Sequence, residues 1–210
     1  LALECIVYQG WDRPSAIAHW KGTPGIIHNH QSFPALGVLF VGNYLQRHYR
    51  VDYVGDWLAV AHGVFSGQKH VSKPQEDAAA YVWLPIIHTA IYSLSQGDMT
   101  YLADGHLRDA ARLAMVVIDN RGYQGAFGDH DGLRSFSAMA PVLRMALWYY
   151  RDPGLAWGVK LVGRDPTYTL GQDFNTTIDS LPPSDLVGAS VVRTTKASYD
   201  LAAKSKLRAG

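Results

Sequence analysis

The stretch Gln75–His88, QEDAAAYVWLPIIH, decides how the middle of this chain is read. As a helix it opens on Gln75-Glu76-Asp77, where acidic side chains meet the positive end of the helix dipole. It then runs to Ser95, before Gly97. Pro85 falls inside this span. A proline there removes a backbone donor and crowds the carbonyl four residues back, so a kink or local widening is expected. Tyr81 and His88 stand two helical turns apart and so share a face, with Glu76 and Asp77 near that face at the helix start. Ala78, Ala79 and Ala80 leave room for a ligand beside Tyr81. Equally, Tyr81 and Trp83 read as core aromatics with the phenol at the rim.

The helical period continues on both sides. From Ala35 to Tyr49, Leu36, Leu39, Phe40, Asn43, Tyr44 and Arg47 recur at three- and four-residue steps. A second helix runs from Asp52 or Gly55 through Trp57, Leu58, Val60, Ala61, Val64 and Phe65 to about Gly67. Another covers Thr100 to Asp119 and is ended by Asn120-Arg121-Gly122. A further one covers Ser135 to Arg151, closed by Asp152-Pro153-Gly154, and a short last helix follows to about Val162. Short turns between helices imply antiparallel neighbours. The fold class is therefore mainly α: antiparallel helix hairpins forming a bundle or part of an α/α toroid over residues 1–165. After Gly163 the prolines Pro166, Pro182 and Pro183 break the period, and Leu186–Arg193, LVGASVVR, reads as a strand. One strand is not stable alone. Residues 166–210 are expected to be a linker and the start of a β domain.

Composition narrows the function classes. The 210 residues are 48% apolar and 18% charged, the profile of a globular chain. The formal net charge of +1 gives no electrostatic case for nucleic acid as a partner. Apolar runs are too short for a bilayer, so no membrane span is expected. Cys5 is the only cysteine, which rules out a disulfide within the chain. The chain opens on Leu1 without a basic leader and stops at Lys206-Leu207-Arg208-Ala209-Gly210, so it reads as an internal piece of a longer protein.

Three stretches concentrate reactive groups. His28-Asn29-His30 lies between Pro24-Gly25 and Pro34, at the mouth of an apolar segment. These side chains either cap the Ala35 helix or hold something negatively charged. They lack the further ligands of a zinc motif. The Gln75–His88 stretch is the second. The third is Asn120–Arg134, with Asp129, His130, Asp131 and Arg134. Its acidic residues do not have EF-hand spacing and read as a surface turn. Two carboxylates across a groove would suit a glycoside hydrolase, and Glu76 with Asp129 is the candidate pair.

Taken in order, four features resemble the heparinase II/III-like polysaccharide lyases, a group that includes alginate lyases of similar build. They are the Asn-His step, the PQED…Tyr stretch, a helix ending in DNRGYQ with FGD beyond it, and the proline-rich passage into LPPSDLVGASVVR. The likeness in layout spans roughly Gly25 to Arg193. It implies an α/α toroid followed by a β-sandwich, and β-elimination on a uronic-acid polymer. In that chemistry a proton leaves C5 beside an ionised carboxylate, and the glycosidic oxygen then leaves C4. The charge building on the carboxylate must be spread by hydrogen-bond donors. By the resemblance Asn29 and His30 do this with help from His28, and Tyr81 protonates the leaving oxygen. For some substrate epimers Tyr81 also takes the C5 proton, and His30 or Arg134 would supply the positive charge a phenolic base needs.

Gln75, Glu76, Trp83, His88 and Arg134 are the expected substrate contacts. A histidine or tyrosine from the β-sandwich completes the family's site and lies beyond this chain. No cofactor is called for, with room left for a structural metal in the β domain. The expected partner is an acidic polysaccharide or oligosaccharide, met in the periplasm or outside the cell. The other readings are a glycoside hydrolase on Glu76 and Asp129, and a non-catalytic glycan-binding module stacking sugars on Trp20, Trp57, Trp83 and Tyr81.

Overall fold

The computed structural model describes residues 26, 29–76, 78–79, 81–118, 122–125, 128 and 139–162. Seven helices occur among them: α1 Asn29–Tyr49, α2 Val54–Gln68, α3 Trp83–Gln96, α4 Thr100–Ala103, α5 His106–Val117, α6 Met139–Tyr150 and α7 Pro153–Val162. No strand is present among the described residues; Ile118 and Gln124 form one isolated antiparallel bridge. The mainly helical class is as expected. Closure into a toroid is not shown, and the strand expected at Leu186–Arg193 lies outside the described residues. No helix among them is long and apolar enough to cross a membrane. The chain divides into two units. The first comprises Leu1–Asp77 and Leu84–His106, and the second Ala78–Trp83 and Leu107–Gly210.

In the first unit, α1 and α2 pack together across the short turn after Tyr49. On α2 the buried residues Val54, Leu58, Ala61, Phe65 and Gln68 recur at helical steps and form its inward stripe. Gly42 of α1 meets that stripe. A Cβ added there would lie 2.7 Å from Leu58 Cδ2, so the glycine sets how closely the two helices approach. Arg50 ends α1 in the left-handed region at φ 50°, which directs the chain into α2.

The second unit repeats the device. α6 and α7 pack together, and Arg151 at φ 54° reverses the chain between them. Its N–H donates to the Leu147 carbonyl at 2.9 Å, closing the end of α6. Asp152 then caps α7, accepting from the Gly154 N–H at 2.7 Å, and Pro153 takes the first helical position. The Arg108 guanidinium lies 4.4 Å from the Tyr150 ring centroid, while the Arg108 N–H donates to the Tyr150 hydroxyl at 3.2 Å. Burial pushes the Tyr150 phenol up to about 12.

Three helix boundaries differ from expectation. α1 begins at Asn29, not Ala35, so Pro34 lies within it and forgoes the bond to the His30 carbonyl. Thr100–Asp119 is two helices, because Gly105 turns the chain at φ 87° and donates to the Leu102 carbonyl. α3 begins at Trp83, not Gln75. Residues before it form turns, and the N–H groups of Tyr81 and Val82 both donate to the Ala78 carbonyl. Pro85 is thus the third residue of α3, where no intrahelical partner exists for its missing N–H, so it needs no kink. Tyr81 precedes the helix, and the shared face expected for Tyr81 and His88 does not exist.

The contact at Gly42 leads to a stability prediction. Gly42→Val forces Leu58 aside and should destabilise the protein by about 1–3 kcal/mol. Gly63, also in α2, faces open space, so Gly63→Ala should be neutral or stabilise by up to about 1 kcal/mol. Urea midpoints of the two variants check the contrast.

Candidate functional site

The first turn of α1 carries the Asn-His step, in the first unit. Asn29 is buried and its N–H donates to Glu76 Oε2 at 3.3 Å. His30, the next residue, is exposed. The Ser32 hydroxyl donates to the Asn29 carbonyl at 3.2 Å and lies 2.9 Å from His88 Nδ1. The Phe33 ring meets His88 edge-on at 4.4 Å.

His88 is 3% exposed, and burial lowers its imidazole to about 4. It is therefore neutral at neutral pH. It serves as an internal anchor beneath the α1 turn, which corrects its assignment as a substrate contact. Gln75 is exposed, and its N–H donates to the Ile26 carbonyl at 3.4 Å. The turn thus gathers Asn29, His30 and Glu76 and, through Ser32, His88. A carboxylate already sits against its leading N–H, as the dipole of a helix start favours.

Ile26, just ahead of this turn on the chain, is held by Gln68, which the sequence reading missed. Gln68 accepts from the Ile26 N–H and donates to the Val71 carbonyl, both at 3.2 Å. Its signal was available: it continues the apolar stripe of α2, and a polar residue in a buried register needs partners. Farther along, Lys69 and Asp98 pair at 2.7 Å, which holds the Asp98 carboxyl down at about 2. His62 Nδ1 lies 3.1 Å from the Tyr92 hydroxyl; burial lowers His62 and raises Tyr92.

In the second unit, Tyr81 occupies a turn and is 37% exposed. Trp83, two residues later, is fully buried and donates its indole N–H to Gln124 Oε1 at 2.8 Å. Enclosed in this way it offers no face to a sugar, which corrects its assignment as a substrate contact and stacking platform. Gln124 was missed as well; its only mark in the sequence was its place in the DNRGYQ segment. His28, Arg134, Asp129 and Trp20 lie outside the described residues. No group of three or more His, Cys, Asp or Glu side chains suited to a metal occurs among the described residues.

Burial of His88 sets a pH window for stability. Its folded value of about 4 lies below the ordinary 6.5, so between these pH values the unfolded chain binds more protons. The stabilisation is complete above pH 6.5 and should decline by about 3 kcal/mol as pH falls to 4. Burial of His62 acts in the same sense. His88→Asn, which keeps a polar atom near the Nδ1 position, should flatten this limb of the stability profile. Denaturant titrations from pH 7 to pH 4 measure it.

Comparison of the chain with family models, with curated proteins and with solved structures finds no match in any of the three. The functional reading rests on the residues themselves.

Proposed function

We propose that the chain forms part of a polysaccharide lyase that cleaves an acidic, uronic-acid-containing glycan by β-elimination, in the periplasm or outside the cell. The observation that carries this reading is the first turn of α1, where an Asn-His step opens a helix with the His30 side chain exposed. A helix start with an exposed imidazole beside it suits the anionic group that the reaction needs to stabilise.

In the reaction a base removes the C5 proton. The freed electron pair forms the C4–C5 double bond as the C4–oxygen bond breaks, and the leaving oxygen takes a proton. Charge developing on the uronate carboxylate is spread onto donors from Asn29 and His30. Tyr81, whose ring reaches solvent, is assigned the proton delivered to the leaving oxygen. Glu76 and Gln75, both beside the α1 turn in the bonded network, are assigned to substrate contacts.

The test is release of unsaturated product from uronic-acid polymers by the full-length protein, followed by the ultraviolet absorbance of the new double bond. His30→Ala should lower turnover about 10²–10³-fold, the usual cost of one lost anion-stabilising donor. Because His30 is exposed, its melting temperature should hardly change. Asn29 is buried, so Asn29→Ala should lose both activity and some stability. Tyr81→Phe keeps the ring and removes the acid, and should cost about 10²–10⁴-fold. Normal turnover in Tyr81→Phe and His30→Ala would falsify the assignment. Saturated reducing ends would point to a hydrolase, and binding without any product to a glycan-binding module.

A further inference from the structure

Gln124 is fully buried, and both halves of its carboxamide are engaged within the second unit. Nε2 donates to the Ala79 carbonyl at 2.9 Å, and Oε1 accepts the Trp83 indole N–H at 2.8 Å. These partners stand two residues before and two residues after Tyr81. Between them the Ala78 carbonyl gathers the N–H groups of Tyr81 and Val82 at 3.1 and 3.0 Å. Gln124 is itself fixed by its bridge to Ile118, and the next N–H, of Gly125, donates to the Val117 carbonyl at 3.3 Å. One planar group thus grips both shoulders of the turn that presents Tyr81.

We propose that Gln124 is the positioning residue for Tyr81. The consequence for turnover rests on the lyase reading above; the clamp itself does not. A proton donor works only within hydrogen-bond reach of its acceptor, and a displacement of about 1 Å can cost about 10²-fold in rate. A side chain on a helix is held by the helical ladder. Tyr81 lies in a turn, so its rigidity comes from elsewhere. The residue type follows from the geometry: Ala79 offers an acceptor and Trp83 a donor, so the clamp needs one donor and one acceptor on a single group. A carboxylate lacks the donor, and methionine lacks the donor and offers only a weakly accepting sulfur.

The experiment compares Gln124→Met, Gln124→Glu, Tyr81→Phe and the Gln124→Met/Tyr81→Phe pair in the full-length protein. It reads exchange of the Trp83 indole proton and of the Tyr81 and Val82 amides by NMR, together with kcat and KM on acidic glycans. Gln124→Met should speed all three exchanges and lower kcat about 10²-fold with KM nearly unchanged. It should add little to the loss already caused by Tyr81→Phe. Gln124→Glu keeps a donor and an acceptor while protonated. Normalised to wild type, its turnover should therefore be near normal at acid pH and fall as pH rises. This variant carries the test should Gln124→Met fail to fold.

An equal fold-loss with and without the Tyr81 hydroxyl would show that Gln124 supports the fold generally, and unchanged indole exchange would show that there is no clamp. Either result overturns the proposal. If the wild-type protein yields no unsaturated product, the lyase reading falls and the consequence for turnover falls with it. The exchange rates then uphold or overturn the clamp on their own.

Discussion

Between α2 and α3 the described residues form neither a helix nor a strand, yet some of them are buried and their backbone groups need partners. A buried group left unpaired costs about 1–3 kcal/mol, so each such group has to be met by something brought from elsewhere. The partners come from near and distant parts of the chain, as side chains and as backbone. Gln68 spans the Ile26 N–H and the Val71 carbonyl, and the Ile26 carbonyl takes the Gln75 N–H. Glu76 meets the Asn29 N–H, and Gln124 meets the Ala79 carbonyl. Both helix starts carry such a bond: Glu76 lies against the Asn29 N–H, and Gln124 accepts the Trp83 indole N–H.

This explains which helices could be read from the sequence. The hairpin formed by α6 and α7 was legible because its punctuation is local: Arg151-Asp152-Pro153-Gly154 holds both the stop and the start. The α2 helix was legible from its apolar stripe alone. The stretch before Trp83 misled because glutamate and alanine have good helix propensity, while one of the bonds that hold it as turns, to the Ala79 carbonyl, comes from Gln124, far along the chain. Pro85 was the local clue. A proline is at ease in the first turn of a helix and costly inside one, so a start at Trp83 accommodates it without strain.

The candidate site was legible in its parts more than in its arrangement. The Asn-His step does stand at a helix start, and Glu76 does reach it, across 47 positions of sequence. His88 and Trp83 were recognised as chemically informative residues but turned out to face inward. Imidazole and indole each carry an apolar body and a polar edge, and a sequence does not say which of the two is satisfied by the protein and which by a ligand. Ser32 and Gln68 drew no attention because serine and glutamine are ordinary at surfaces. Their partners, His88 and the Ile26 and Val71 backbone, make them exceptional here.

The division of the chain between its two units bears on how it is made. Ala78–Trp83 belongs with residues from Leu107 onward, while Leu84–His106 belongs with what came before Ala78. A ribosome synthesises the indole of Trp83 well before its acceptor, because Gln124 lies 41 residues downstream. At roughly 5–20 residues per second that interval lasts about 2–8 s. Throughout it a large aromatic side chain destined for a dry interior lacks its acceptor, while the rest of α3, from Leu84 on, belongs with chain already made. The nascent polypeptide thus carries a timed vulnerability, whose length is set by the 41 residues between the indole and its acceptor.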